Sequence, residues 1–264
     1  VTDQSNGDTP RRTVFMRGVS SSALVLGALL LVAVTLTLPR LLHSSGMGPV
    51  TATSVTMIAA ALLINRFAPS LALYPRILDV SGSRWDPLLV TVAVFGAATL
   101  WLAGAILARI LVADDRNVSA PTSSDPYLLT LAFILVIAPV TEEILYRGLL
   151  QGSLNRLVPA AASVLLTTFI FAGVHPRPRD MVAAVAIGLL AGTLREVFGT
   201  MTAPILAHIA MNTASMLVPS AAVSALAHCP AAVPVLVLLV LFLLLLAFAF
   251  RRSCATVGES IDTN

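Results

Sequence analysis

The sequence predicts an all-α protein, a polytopic bundle of about eight transmembrane helices. Three observations carry this. Of 264 residues, 57% are hydrophobic and only 11% are charged. Soluble domains carry about 25% charged residues, so there is too little polar surface here to cover a water-soluble particle. The apolar residues are gathered into runs close to the ~20 residues a helix needs to cross a bilayer. All 16 basic residues are arginines, scattered at the ends of those runs, as orientation determinants in short membrane loops are.

Taken in order, the expected helices are 19–38, 48–65, 88–112, 127–152, 158–175, 181–198, 200–218 and 231–250. The first follows Arg11, Arg12 and Arg17, the polarity of a signal peptide. Its apolar run is longer than a signal peptide's and lacks a small-residue cleavage site, so it is read as a retained membrane helix. The second is diluted by Thr51, Thr53, Ser54 and Thr56, whereas the last is nearly pure Leu, Val, Phe and Ala, the composition of a lipid-facing span. Residues 1–18 and 251–264 are polar tails. The loop 113–126, with Asp114, Asp115, Arg116 and Asp125, separates the N-terminal helices of 19–112 from a helical core at 127–218 and a C-terminal helix at 231–250.

The net charge of +3 does not point to nucleic acid, because the arginines form no patch. With eight spans and a cytoplasmic N-terminus, eleven arginines fall inside and five outside (Arg40, Arg109, Arg116, Arg177 and Arg179). This predicts an integral protein of a bacterial plasma membrane with both termini cytoplasmic. Arg177 and Arg179 run against the trend, which suggests that the helix before them is tilted or offset. Cys229 and Cys254 fall near opposite ends of the last span, which excludes a disulfide framework.

An ionisable residue at mid-bilayer costs about 2.5–3.5 kcal/mol on insertion scales and persists where it has partners or a function. Three segments hold such residues. In Pro139-Val140-Thr141-Glu142-Glu143-Ile144-Leu145-Tyr146-Arg147-Gly148, Glu143 and Arg147 are four apart and can pair. Glu142 points about 100° away and is left without an in-helix partner, so it is the carboxylate free to act as a general base. In Phe169-Ile170-Phe171-Ala172-Gly173-Val174-His175-Pro176, Phe171 and His175 share one helical face. In Pro204-Ile205-Leu206-Ala207-His208-Ile209-Ala210-Met211-Asn212, His208 and Asn212 do so. Each segment alone has an ordinary explanation: a structural ion pair, an interfacial histidine, a polar stripe between helices. His43 and His228 are read as loop residues, Trp85, Trp101 and Tyr127 as interfacial anchors or core, and Gly188-x-x-x-Gly192 as a close helix contact.

Glu-Glu-x-x-x-Arg, Phe-x-x-x-His and His-x-x-x-Asn, in that order on separate membrane helices, resemble the CPBP family. These are the type II CAAX prenyl endopeptidases and their bacterial relatives, including bacteriocin-processing and immunity proteins. The resemblance covers about residues 127–218 and holds at Glu142, Glu143, Arg147, Phe171, His175, His208 and Asn212. It implies an intramembrane glutamic endopeptidase acting on a membrane-associated protein or peptide. Glu142, aided by His175, would deprotonate water, His208 and Asn212 would stabilise the oxyanion, and Glu143, Arg147 and Phe171 would support the site.

No cofactor is expected on this reading. A zinc site formed by Glu142, His175 and His208 is the alternative mechanism, since two histidines and a carboxylate are a known catalytic set. No carboxylate near either histidine in sequence offers to orient it, and Asn212 has no role in such a site. A non-catalytic membrane scaffold or immunity protein is the alternative of a different class. His-Glu-x-x-His, Gly-x-Gly-Asp and Gly-x-Ser-Gly strings, which would signal other intramembrane proteases, do not occur in the spans.

Overall fold

The computed structural model describes residues 20–67, 87–111, 125–229, 231–241 and 245. The two tails, most of the 113–126 loop, Trp85, Cys254 and the end of the 231–250 run lie outside them. Among the described residues every regular element is helical. In chain order these are α1 (Ser21–Ser44), α2 (Pro49–Phe67), α3 (Pro87–Leu111), α4 (Tyr127–Leu154), α5 (Ala160–Gly173), α6 (Pro178–Phe198), α7 (Thr202–Leu217), α8 (Ser220–Ala227) and α9 (Ala232–Leu241).

The all-α polytopic bundle is as expected. Among the described residues five helices are long and apolar enough to cross a membrane: α1, α2, α3, α4 and α6. A sixth span results if α7 and α8, joined at a 92° bend, count as one broken crossing. The expected span 158–175 shrinks to the 14 residues of α5, about 21 Å at 1.5 Å per residue, against a hydrocarbon core of about 30 Å. Pro159 precedes its first turn and Gly173 ends it. Apolar letters continue past both helix ends, and composition alone does not register that. Conversely, α1 continues through Pro39 to Ser44 rather than stopping at residue 38. The segment after α7, expected as loop, contains α8, and the bend falls at Pro219.

The surface explains why these helices need lipid. The most apolar 18-residue windows of the five long helices are only 22% to 50% buried. On α1 the face Leu24, Ala28, Val32 and Thr35 is inside, while Leu26, Leu30, Val34, Leu38 and Leu41 are exposed. An apolar stripe of this extent has no place in water. Three of the hydroxyls that dilute α2 are satisfied: Thr53 and Thr56 donate to the carbonyls of Pro49 and Ala52, and Thr51 donates to Asp125. Asp125 also accepts from the backbone N–H of Val50 and Thr51, capping α2 from 75 residues away and fixing where α4 begins.

Helix α4 runs through the middle of the bundle, in contact with α1, α2, α5, α6 and α7, while α3 packs on α6, α7 and α8. The Gly188-x-x-x-Gly192 reading holds. A Cβ on Gly188 would stand 2.7 Å from Thr168 Cγ2, and one on Gly192 would stand 2.9 Å from Val164 Cγ1. The two glycines therefore bring α6 against α5 along the Val164 and Thr168 face. At its C-terminal end α4 is tied to α6 by Gln151 Nε2, which donates to Glu196 Oε1 at 2.6 Å and to the Gly192 carbonyl at 3.2 Å. Helix α6 itself has Pro178 at its start, Asp180 in its first turn, Arg195 in its last, and Gly199 in the left-handed region at φ 65°. The stop at Phe198 is the expected one, while the start at Pro178 precedes the expected 181.

Candidate active site

The site begins in the middle of α4, where regular geometry is interrupted twice. Phe133–Ile137 and Ile144–Gln151 take wider π-helical turns, and between them lies the six-residue α segment Ala138–Glu143. Such wide turns are frequent at functional sites. Glu142 and Glu143 are the last two residues of that α segment.

Glu143 and Arg147 are both fully buried and joined at 2.8 Å (Arg147 Nη1 to Glu143 Oε1), the pairing that the four-residue spacing predicted. Charges this deep are tolerated only when compensated. Arg147 gains a second compensation, since its guanidinium lies 4.8 Å from the centroid of the Phe171 ring. Its Nε and Nη2 have no hydrogen-bond partner among the described residues, so Glu143 and that ring are the main features balancing its charge.

His208, on α7, reaches the same carboxylate: its Nδ1 lies 2.7 Å from Glu143 Oε1. A carboxylate oxygen accepts, so Nδ1 is the donor. This turns Nε2 toward Glu142, whose Oε2 is 3.7 Å away. Glu143 thus serves two partners, one on its own helix and one 65 residues on. The sequence indicated only the first. It also left both histidines without an orienting carboxylate, and for His208 the structure overturns that.

His175 lies just beyond α5, not within it. Its backbone N–H donates to the Ala172 carbonyl and its Nδ1 donates to the Phe171 carbonyl at 2.8 Å. With Nδ1 protonated, Nε2 of the neutral ring carries the lone pair. Asn212 Nδ2 donates to the Ile134 carbonyl at 2.8 Å. Because the amide carries two N–H groups, one remains available. Phe171 is the common wall: its ring meets Tyr146 and His175 edge-on at 4.9 Å and His208 at 5.9 Å. Tyr146 and the Ile134 carbonyl had no assigned role in the sequence. A buried tyrosine beside Arg147 was a visible signal, whereas a backbone carbonyl leaves none.

A cavity of about 450 Å³ lies between α3, α5, α6 and α7. His175, His208 and Asn212 line it together with Phe171 and Met211. Glu142 is not among the lining residues and meets the site through His208 Nε2. The groups whose charge acts on Glu142 include His208, His175, Glu143 and Arg147, so the four predicted catalytic residues occupy one neighbourhood on three separate elements. Among the described residues, no three of His, Cys, Asp or Glu are gathered closely enough to hold one metal ion. His43 and His228 are exposed; His43, expected in a loop, stands in the last turn of α1 and donates forward to the Met47 carbonyl, while His228 donates back to the Ser224 carbonyl. Tyr127 is exposed at the start of α4, and Trp101, read as an anchor or core residue, lines the cavity.

Residues 124–214 match the family model described as type II CAAX prenyl endopeptidase Rce1-like. No curated protein matches the chain, and no solved structure does.

Proposed function

From the premise that this chain belongs to the CPBP family of Rce1-like type II CAAX prenyl endopeptidases, we propose that it is an intramembrane endopeptidase in which Glu142 activates water. The family and the apolar helices make the protein a membrane-embedded peptidase with a membrane-associated substrate; the glutamate mechanism is our own reading. One observation supports it above the others. Glu143 Oε1 is occupied by Arg147 and His208, while Glu142 is the partly exposed carboxylate, approached at 3.7 Å by His208 Nε2.

A single water can hydrogen-bond both Glu142 Oε2 and a neighbouring imidazole nitrogen across such a gap at about 2.8 Å. Glu142 takes a proton from that water as the oxygen adds to the scissile carbonyl, with the lone pair on His175 Nε2 helping to align it. Charge developing on the carbonyl oxygen meets the second N–H of Asn212 and, when His208 carries both ring protons, its Nε2–H. Glu143 balances that imidazolium. Glu142 then returns its proton to the leaving amine, so the proton taken from water ends on the new amino terminus.

The zinc reading gains one point. A carboxylate on the far nitrogen of a histidine, as Glu143 is on His208, is a common support for a metal ligand. Against it, Glu142, His175 and His208 are not gathered around one point. The deciding experiment compares peptides in membrane and secreted fractions of cells expressing the wild type or Glu142→Gln. A fragment found only with the wild type supports the endopeptidase and identifies its substrate. Identical fractions would favour the scaffold or immunity reading.

A further inference from the structure

Helix α4 carries a proline inside its membrane run, three residues before Glu142. Pro139 is buried, and having no N–H it costs the helix a backbone hydrogen bond. Within a bilayer such a loss is tolerated because groups on neighbouring helices satisfy the carbonyl that is freed. The bonds around Pro139 identify that carbonyl. At the end of the wide turn Phe133–Ile137, the N–H of Ala138 donates to the Phe133 carbonyl, five residues back. A regular α turn would have sent that N–H to Ile134. Continuing the five-residue pattern would have given Ile134 the N–H of residue 139, and that residue is proline. The Ile134 carbonyl is missed by both patterns.

The donor that does reach it comes from α7. Asn212 Nδ2 bonds the Ile134 carbonyl at 2.8 Å. A carbonyl oxygen only accepts, so this bond fixes which way the Asn212 amide is turned and leaves its second N–H directed elsewhere. Asn212 lines the cavity together with His208, which stands one turn earlier on α7 and is itself held by Glu143. Both polar side chains that α7 brings to the cavity wall beside α4 are therefore oriented by acceptors on α4.

We infer that Pro139 is the positioning residue for Asn212: by withholding an N–H it keeps the Ile134 carbonyl open, and that carbonyl turns the Asn212 amide so that one N–H is left for the developing oxyanion. An N–H at position 139 would let α4 close on Ile134 itself and compete with Asn212 for the carbonyl. The use made of the remaining N–H rests on the endopeptidase reading.

The test is a double-substitution cycle on the full chain in detergent, with Pro139→Ala and Asn212→Ala made singly and together. Alanine is the better helix former, so Pro139→Ala should have a thermal midpoint at or above that of the wild type. Asn212→Ala strands the Ile134 carbonyl and should lower the midpoint by about 2–4 °C when residue 139 is proline. It should lower it hardly at all when residue 139 is alanine, whose N–H satisfies the same carbonyl. Cleavage is read with a quenched-fluorescence peptide spanning the site that the comparison of wild-type and Glu142→Gln cells identifies. On it Pro139→Ala should lose about tenfold in kcat, the worth of one hydrogen bond, with KM unchanged. Pro139→Gly supplies the same N–H without a side chain and should lose kcat to the same degree. In the Asn212→Ala background neither change at 139 should lower kcat further.

Midpoint losses that simply add would overturn the inference, as would a Pro139→Ala protein that is less stable than the wild type. A stable Pro139→Ala protein with unchanged kcat would overturn it too. The midpoints need no substrate, which separates the two readings. Coupled midpoints in a protein whose wild type cleaves nothing would sink the endopeptidase reading and leave Pro139 as the residue that orients Asn212.

Discussion

Glu143 and His208 lie 65 residues apart in the chain and 2.7 Å apart in the fold, with Arg147 on the same carboxylate oxygen. This contact joins α4 to α7, fixes which ring nitrogen of His208 faces Glu142, and shares one buried carboxylate between a guanidinium and an imidazole N–H. It makes Glu143 a positioning residue, distinct in role from its neighbour Glu142.

Glu143→Gln keeps the shape of the side chain but removes the charge that compensates Arg147. We predict a loss of about 3–5 kcal/mol of stability, the usual cost of stranding one member of a buried pair, read by denaturant unfolding in detergent. The exchange Glu143→Arg with Arg147→Glu should not restore the protein, because it sets a guanidinium against His208 Nδ1, which needs an acceptor. Full recovery of stability and activity by the exchange would mean that the His208 contact is dispensable.

Glu142→Gln should fold and melt like the wild type yet lose about 100- to 10,000-fold in cleavage rate, the range for removal of a general base. Asn212→Ala should lose about 100- to 1,000-fold in kcat, as expected when one oxyanion donor is removed, with KM changed little. Melting curves run beside the kinetics separate these outcomes from unfolding. Near-normal turnover by Glu142→Gln would refute its assignment as the base.

Gly192→Leu places a side chain where even a Cβ would stand 2.9 Å from Val164 Cγ1 and 3.2 Å from Gln151 Oε1. It should push α5 away from α6 and disturb the Gln151 tie to Glu196. We expect a loss of at least about 1–3 kcal/mol from overpacking, measured as a lower thermal midpoint. Gly173→Ala, where a Cβ would meet no atom within 4 Å, is the matched control and should leave the midpoint in place.

Exhaustive treatment of the purified protein with a strong zinc chelator should leave peptide cleavage unchanged, and elemental analysis should find no stoichiometric metal. The ground is the division of roles among Glu142, His208 and Asn212, each of which has a part in a glutamate-activated water mechanism. Activity lost on chelation and restored specifically by zinc would replace that mechanism while leaving the membrane peptidase in place.

The sequence by itself determined the class of protein, the helical periodicity and the residue types of the site. Apolar runs with arginine at their ends can only be satisfied in a bilayer, and pairs such as Glu143 and Arg147 are set by the helix repeat alone. The same holds for the end of α6 at Phe198. Tertiary structure decided the rest. Composition does not record where Pro159, Gly173 and Pro219 stop or bend a helix, so the short α5 and the turn into α8 were not legible. The His208 contact with Glu143 and the Asn212 bond to the Ile134 carbonyl depend on which helix faces meet. Those meetings are set by close-packing contacts such as Gly192 against Val164, whose energy arises only once both helices are in place.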